Sequence, residues 1–379
     1  MKKFNFFLSC AASAMFAIAL TSCEAVKDNP GTGFDPSLKD VTIQSGDTLA
    51  PIYKKLAATT NDIIIEIPAG VDTVYTGKIE LTPGQTFTLV GDKDNPPVVV
   101  PTASMKFANT FTIKNVIFDC SNFANHLLMM ISSPDESLKV ESGQYVIKTP
   151  VVIENVVAKG LTKAFFYDNG KAYTFETFTI NNCIVGYKAQ GNLVLNFSSA
   201  MAINFNITNS TFYSEDPAES KANFIGLSGK RPWQTTGYEE ETGKLTLKNN
   251  TFANVACSNN KMFLNTNTLK GQKYLYEVKN NIFYNASTSA KLIYKNMTNN
   301  KKQVTAENNV YYYNGEFLPE TNFNGDAGVE VDPQFKNLEP IYKDGKLVED
   351  VSFRPTNLTF LNLEDIPGDP RWTQWVIKK

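Results

Sequence analysis

The hexapeptide "IKNVIF" (residues 113–118) recurs along the chain, each time with an asparagine at its third place and usually an aliphatic residue two places before. Asparagine tolerates the left-handed backbone conformation of a sharp turn better than other non-glycine residues. The pattern therefore predicts a repeated unit with a turn between two strands at each asparagine. The seven asparagines are Asn115, Asn155, Asn182, Asn209, Asn249, Asn280 and Asn308.

The spacing of these asparagines indicates a solenoid. Successive ones are 40, 27, 27, 40, 31 and 28 residues apart, so a constant unit carries loops of variable length. Each unit has an extended stretch, a short second strand and a third apolar run such as "HLLMMI" (126–131). No unit sustains a helical apolar period over ten residues. The sequence predicts an all-β fold, a right-handed single-stranded parallel β-helix, with the seven amides buried and stacked as a ladder.

The two ends of the chain depart from the repeat. An N-terminal lysine pair and an apolar run end in "LTSC", which resembles the lipobox of bacterial lipoproteins and implies lipid attachment to Cys23. The alternative is an ordinary signal peptide with an incidental cysteine. The predicted regions are a signal peptide (1–22), a lipidated flexible tether (23–38), an N-terminal cap with a short helix and the first coils (39–110), repeated coils (111–314) and an irregular C-terminal cap (315–379), whose "GDPRW" would cover the last rung.

Composition excludes several classes of function. The formal charge is -2, and three Arg and one His occur, which argues against a nucleic-acid partner. Once Cys10 leaves with the signal peptide and Cys23 carries lipid, three cysteines remain and no CxxC occurs. Neither a disulfide framework nor a zinc site is encoded, and we predict no metal and no cofactor.

Several motifs together carry a resemblance to a known family. "LTSC", the "IPAG" segment, the asparagine coils and the terminal "DPQF" and "GDPRW" resemble those of bacterial lipoproteins that are similar to pectate lyases in fold and are found beside polysaccharide-utilisation systems. The resemblance covers most of residues 40–379. It implies the fold and an outer-membrane lipoprotein, exposed at the cell surface, but no particular reaction.

In pectate-lyase-like enzymes the substrate groove lies over the sheet of third strands. The outward face of that sheet is predicted to present Asp168, Asn196, Asn265 and Lys295 at matching places. One carboxylate does not make a calcium site, so a lyase would need Ca²⁺ held by the acidic loops at 132–143 or 239–242. A polygalacturonase-type hydrolase is disfavoured, because no Arg-x-Lys occurs and the single histidine, His126, begins an apolar strand.

One loop has the residue types of a glycan-binding site. "SGKRPWQTTGYEEETG" (228–243) carries Lys230, Arg231, Trp233 and Tyr238. Sugar rings stack on aromatic faces, and cationic side chains pair with uronate carboxylates. Alternatively, Trp233 packs down and pins its own loop. A second excursion, residues 132–150, is predicted to lie on the same side, and a wall from both loops suits a polymer.

These observations predict a surface lipoprotein that binds an extended polysaccharide, with a pectin-like uronate-containing glycan as one option, in support of its capture or breakdown. The expected partners are the polysaccharide, the membrane through the N-terminal lipid, and other surface glycan-uptake proteins. Two alternatives remain open: a calcium-dependent polysaccharide lyase of pectate-lyase type, and a structural or adhesin-like β-helix. The sequence leans away from an enzyme.

Overall fold

A computed structural model describes most of the chain between Thr42 and Thr373. The predicted signal peptide, Cys23 and the tether lie outside the described residues. The described ranges are 42–188, 193–216, 222–227, 234–257, 261–265, 273–287, 304–318, 326–338, 341–343 and 346–373.

Parallel strands dominate this part of the chain and fall into three columns. In the first column each strand pairs with its counterpart one repeat later, for example Phe178 with Phe205 and Ile180 with Ile207. The strands are β1 (Asp62–Glu66), β3 (Thr86–Val90), the first halves of β6 (Phe111–Asp119) and β9 (Val151–Leu161), β11 (Tyr173–Asn181), β14 (Met201–Thr208), β17 (Gly243–Lys248), β20 (Tyr274–Lys279) and β22 (Val304–Glu307), with β8 (Tyr145–Ile147) beside the start of β11.

The second column begins just after each turn asparagine. It ends in a short hairpin, in which the last strand runs antiparallel to its neighbour. The strands are β2 (Thr73–Tyr75), β4 (Val98–Val100), the second halves of β6 and β9, β12 (Ile184–Tyr187), β15 (Thr211–Ser214), β18 (Thr251–Ala253), β21 (Ile282–Tyr284), β23 (Val310–Tyr313) and β24 (Glu316–Phe317).

The third column forms a separate parallel sheet. The chain returns to the same column after every third strand, an order consistent with a solenoid, and the prediction of an all-β fold is confirmed. The strands are β5 (Met105–Phe107), β7 (Leu128–Met130), β10 (Phe166–Tyr167), β13 (Leu195–Phe197), β16 (Ile225–Leu227) and β19 (Leu264–Asn265).

Helices are few in the described ranges. The longest, α1 (Leu49–Ala57), precedes β1 and buries Leu49, Ala50 and Tyr53. A 3-10 helix (Glu136–Leu138) lies in the first long excursion. The C-terminal segment contains the antiparallel pairs β25 (Phe335–Asn337) with β28 (Ser352–Pro355) and β26 (Ile341–Lys343) with β27 (Lys346–Glu349), and the single-turn helices α2 (Leu358–Leu361) and α3 (Pro370–Thr373).

Equivalent side chains of successive repeats stack in the core. Phe212, Phe252, Phe283 and Tyr311 form a row in the second column, with ring centroids 5.3–5.8 Å apart and planes within 20° of parallel. Each aromatic pair contributes about 0.5–1.5 kcal/mol beyond the buried area. Because the strands pair in parallel register, the same contact recurs at each repeat, and the small stabilising contributions add up.

The seven turn asparagines have the predicted backbone conformation. Their φ angles lie between 50° and 56°. In β6 and β9 the asparagine sits mid-strand, so a single long strand bends there and contributes to two columns.

The side chains of these seven asparagines form only an interrupted ladder, and they are partly exposed rather than buried. Asn209 donates to Asn181 instead of Asn182 (2.9 Å), and Asn280 donates to the Asp365 carboxylate (3.1 Å). Direct amide bonds join Asn155 to Asn115, Asn182 to Asn155, Asn249 to Asn209, and Asn308 to Asn280, at 2.9–3.2 Å.

The fully buried ladder lies one residue later, at Asn250, Asn281 and Asn309. The Asn281 Oδ1 accepts the backbone N–H and the side-chain NH2 of Asn250, both at 3.0 Å, and the Asn309 Oδ1 accepts the same two groups of Asn281 at 3.0 and 2.9 Å. The Asp326 carboxylate ends the ladder by accepting from Asn309 (2.8 Å). The prediction of buried amides at the turn residues was therefore wrong by one position, because solvent reaches the corner residue while the next side chain points inward.

The closing "GDPRW" motif does not cover the last rung. The Asp369 carboxylate accepts from the Thr211 hydroxyl (2.7 Å), the Trp372 indole donates to the same hydroxyl (2.8 Å), and Arg371 donates to the carbonyls of Asn182 and Cys183 (3.1 and 2.5 Å). These partners belong to repeats in the middle of the described part of the chain, at β11 to β15. The segment instead covers the outward apolar side chains of the second column, where all residues of β15, β18 and β21 are buried.

Candidate functional site

The outward face of the third column presents one side chain per repeat in a continuous register. Glu80 pairs with Lys106 in an isolated parallel bridge at one end. From there the strand pairing aligns a set that we call the outward row: Lys106, Met129, Tyr167, Asn196, Gly226 and Asn265. Its side chains are partly exposed, apart from glycine.

An aromatic pair lies in the middle of this row. The rings of Tyr167 and His126 stack with centroids 4.4 Å apart and planes 30° apart. The His126 Nδ1 accepts the backbone N–H of Ala164 at 3.2 Å, which fixes the orientation of the imidazole. Burial, assisted by the charge of Lys163, lowers the pKa of His126 to about 4, so the imidazole is neutral near pH 7. The pair is an uncharged aromatic cluster, and both rings are partly exposed.

Asp168 does not belong to the outward row, contrary to the prediction. The register aligns Tyr167 with Asn196, and Asp168 is the next residue, with a fully buried side chain. Its carboxylate accepts the backbone N–H groups of Gly170 (2.9 Å), Ser199 (2.6 Å) and Ala200 (2.8 Å). Burial raises the pKa of Asp168 against these hydrogen bonds. This carboxylate organises two turns and is inaccessible to a ligand.

Asn196 and Asn265 occupy equivalent places in the row, as predicted. The Asn196 Oδ1 accepts the Ser198 backbone N–H at 3.1 Å and its hydroxyl at 2.5 Å, so the amide oxygen is engaged within its own turn. Between the two asparagines the row has Gly226, and a Cβ there would lie 2.5 Å from Leu193 Cδ1. The Leu193 side chain thus lies across the row between the two amides.

The other predicted glycan-binding residues are mostly beyond what the structure describes. Lys230, Arg231, Trp233 and Lys295 lie outside the described residues. Tyr238 is half-buried, and its hydroxyl donates to the Glu176 carboxylate. Burial, followed by the hydrogen bond to Glu176, raises the pKa of the Tyr238 phenol. This tyrosine pins its loop to the start of β11.

The two long excursions contact each other. The Ser142 N–H donates to the Thr236 hydroxyl (2.9 Å) and the Thr236 N–H donates to the Ser142 hydroxyl (2.8 Å). Beside this clamp the Thr235 and Thr174 hydroxyls form a buried hydrogen bond of 3.0 Å. Because Thr174 belongs to β11, these contacts place the clamp next to the first column.

Sequence reasoning missed Lys106, Met129 and Tyr167 as row residues, and it missed His126 as the ring that stacks on Tyr167. Tyr167 was missed because the third apolar runs were aligned one residue out of register. The inward pair Phe166 and Leu195 was the available signal, since matching these two core residues places Tyr167 opposite Asn196.

Comparison with known families gives a partial match. Residues 58–215 are similar to a family described as "Domain of unknown function (DUF4957)". No match was found among curated proteins or among solved structures. The matched stretch runs from just after α1 to just past β15, and it includes Lys106, Met129, Tyr167 and Asn196.

The described residues have neither a metal-binding cluster nor a membrane-spanning helix. No group of three or more His, Cys, Asp or Glu side chains there is arranged to hold a metal ion. No helix in the described ranges has the length and apolarity to cross a membrane.

Proposed function

We propose that this chain is a right-handed parallel β-helix of pectate-lyase-like shape, with α1 at its first coil, that binds an extended polysaccharide along the outward row. We propose further that lipid on Cys23 anchors it at the outer-membrane surface, where it serves glycan capture together with other surface uptake proteins. The observation that carries the binding proposal is the stacked Tyr167–His126 pair, aligned with the Asn196 amide one repeat later.

The chemistry of the row suits a carbohydrate. A pyranose ring has an apolar C–H face that packs on an aromatic surface, while its hydroxyls need donors and acceptors. The partly exposed Asn196 side chain, next to Tyr167 in the register, carries an NH2 donor for such a hydroxyl. Met129, next to Tyr167 in the register, adds a polarizable apolar contact.

The geometry of the row suits a polymer. Adjacent strands of a sheet lie about 4.8 Å apart, so a chain laid along the row meets a new side chain at each repeat. Each contact is weak alone, and the sum over several repeats gives affinity. A short saccharide would reach only a fraction of the row and should bind less tightly.

Retention on glycan gels tests this proposal. We expect the full-length protein to be retarded by at least one member of a panel of plant and host polysaccharides. Tyr167→Ala should weaken that retention at least about fivefold, because loss of a ring contact costs roughly 1 kcal/mol or more.

Tyr75→Ala is the matched control. Tyr75 is also a strand tyrosine, it is 39% exposed, and it lies in the second column, away from the row. Equal loss in both variants, or retardation by no polysaccharide, would show that the proposal is wrong.

A further inference from the structure

A cleft of about 420 Å³ lies at the β5 end of the outward row. Its wall includes Lys54, Lys78, Glu80, Pro83, Ile131 and Ser132. The cleft is continuous with the row, because Glu80 pairs directly with Lys106. The Tyr53 hydroxyl donates to the Glu80 carbonyl at 2.5 Å, which holds α1 against the cleft.

The cleft carries an excess of positive charge. The Glu80 carboxylate bonds to Lys78 at 3.1 Å and to Lys106 at 3.2 Å. Lys54 is exposed on α1 and forms no ion pair within the described residues. The wall of the cleft therefore has two lysines, Lys54 and Lys78, and one carboxylate. The hydrogen bond from Lys78, followed by the contacts of Lys106, lowers the pKa of Glu80, so that this carboxylate stays ionised.

The rest of the wall has the groups that a sugar ring needs. Pro83 and Ile131 supply apolar surface, and Ser132 supplies a hydroxyl that both donates and accepts. A volume in this range is ordinary for a small-molecule site. The combination of an apolar wall, a hydroxyl and a net positive charge suits a ligand with an apolar face, several hydroxyls and one negative charge.

We infer that this cleft binds one carboxylate-bearing sugar residue, with Lys54 and Lys78 as the partners of its carboxylate. The inference rests on the proposed function, since it makes the cleft the end position of a glycan lying along the outward row. Glu80 holds Lys78 in place and disfavours ligands whose negative charge lies on its side of the cleft. Lys54 closes over the carboxylate from the helix.

The test compares two monosaccharides that differ at one carbon. Galacturonate has a carboxylate where galactose has a hydroxymethyl group. We expect the full-length protein, titrated and followed by NMR, to bind galacturonate at least about tenfold more tightly than galactose. The preference should shrink as sodium chloride rises, because exposed ammonium groups are screened.

Three variants locate the effect. Lys54→Gln with Lys78→Gln should abolish the preference for galacturonate, while circular dichroism remains that of the native protein. Lys55→Gln is the control: this neighbouring lysine of α1 does not line the cleft and should keep the preference. Tyr75→Ala should also keep it, because this tyrosine lies in the second column and does not line the cleft.

The outcomes separate this inference from the proposed function. Retention of a polysaccharide without preference for galacturonate overturns the cleft inference and leaves the outward row intact. A galacturonate preference that the double variant removes, with no polysaccharide retained, supports the cleft site and overturns the polymer proposal. A preference that survives the double variant, or is lost equally in Lys55→Gln, overturns the cleft.

Discussion

Replacing Asn281 by alanine tests whether the buried ladder stabilises the fold. Its side chain is fully buried, and its NH2 donates to the Leu247 carbonyl and to the Asn309 Oδ1, both at 2.9 Å. Its Oδ1 accepts two hydrogens from Asn250. Asn281→Ala therefore breaks four hydrogen bonds inside the core.

The magnitude follows from the groups left behind. The Asn250 backbone N–H loses its side-chain acceptor, and the Leu247 carbonyl and the Asn309 amide each lose a donor. An unsatisfied buried polar group costs about 1–3 kcal/mol. Some groups keep a second partner, so we expect a loss of about 3–5 kcal/mol in the free energy of unfolding.

Asn249→Gly is the matched control, since it lies in the outer, partly exposed ladder. Glycine adopts its φ of 56° without strain, and the variant loses one side-chain bond, to Asn209 (3.1 Å). We expect a loss of about 1 kcal/mol. Urea unfolding followed by circular dichroism measures both variants, and hydrogen exchange at the Asn250 amide should accelerate only in Asn281→Ala. An equal loss of unfolding free energy in both variants would refute the conclusion that the buried ladder of Asn250, Asn281 and Asn309 stabilises the fold more than the outer ladder does.

Three further predictions test other parts of the structure. Asp369→Ala should lower the free energy of unfolding by about 3 kcal/mol in urea, because it leaves the partly buried Arg371 guanidinium without its carboxylate; a loss below about 0.5 kcal/mol would contradict this. Since folding lowers the pKa of His126 to about 4, the unfolded chain binds the extra proton first, and this contribution to stability falls as pH drops from about 6.5 towards 4. The thermal midpoint should therefore fall less between pH 7 and pH 4.5 in His126→Gln than in the wild type. An equal fall in both proteins would contradict the prediction. Ser142→Ala and Thr236→Val should be coupled by about 1 kcal/mol in a double-mutant cycle, because each hydroxyl accepts the other's backbone N–H; additive losses would mean that the two loops do not support each other.

The residue types made the turns predictable from the sequence. They did not reveal which side chain at each turn points into the core. The left-handed conformation of Asn115 and its equivalents follows from the residue type alone. The bend at the corner reorients the strand and so decides which of two adjacent asparagines points inward. At this corner the inward residue is Asn250 rather than Asn249.

The site residues show the same limit. A one-residue shift moves every side chain of a strand to the opposite face, so Asp168 was predicted on the face that Tyr167 occupies. The third strands are only two or three residues long, too short for alternation to fix their register. The path of "GDPRW" back along the coils depends on non-local contacts, such as Asp369 with Thr211, that no local pattern encodes.

Hydrogen exchange with and without bound polysaccharide tests the central claim most directly. With the glycan that the panel retains, exchange should slow in β7, β10 and β13, whose outward residues form the middle of the row, and should be unchanged in the first-column strands β3 and β17. Slowing in the first column, or no slowing in the third, would contradict binding along the outward row.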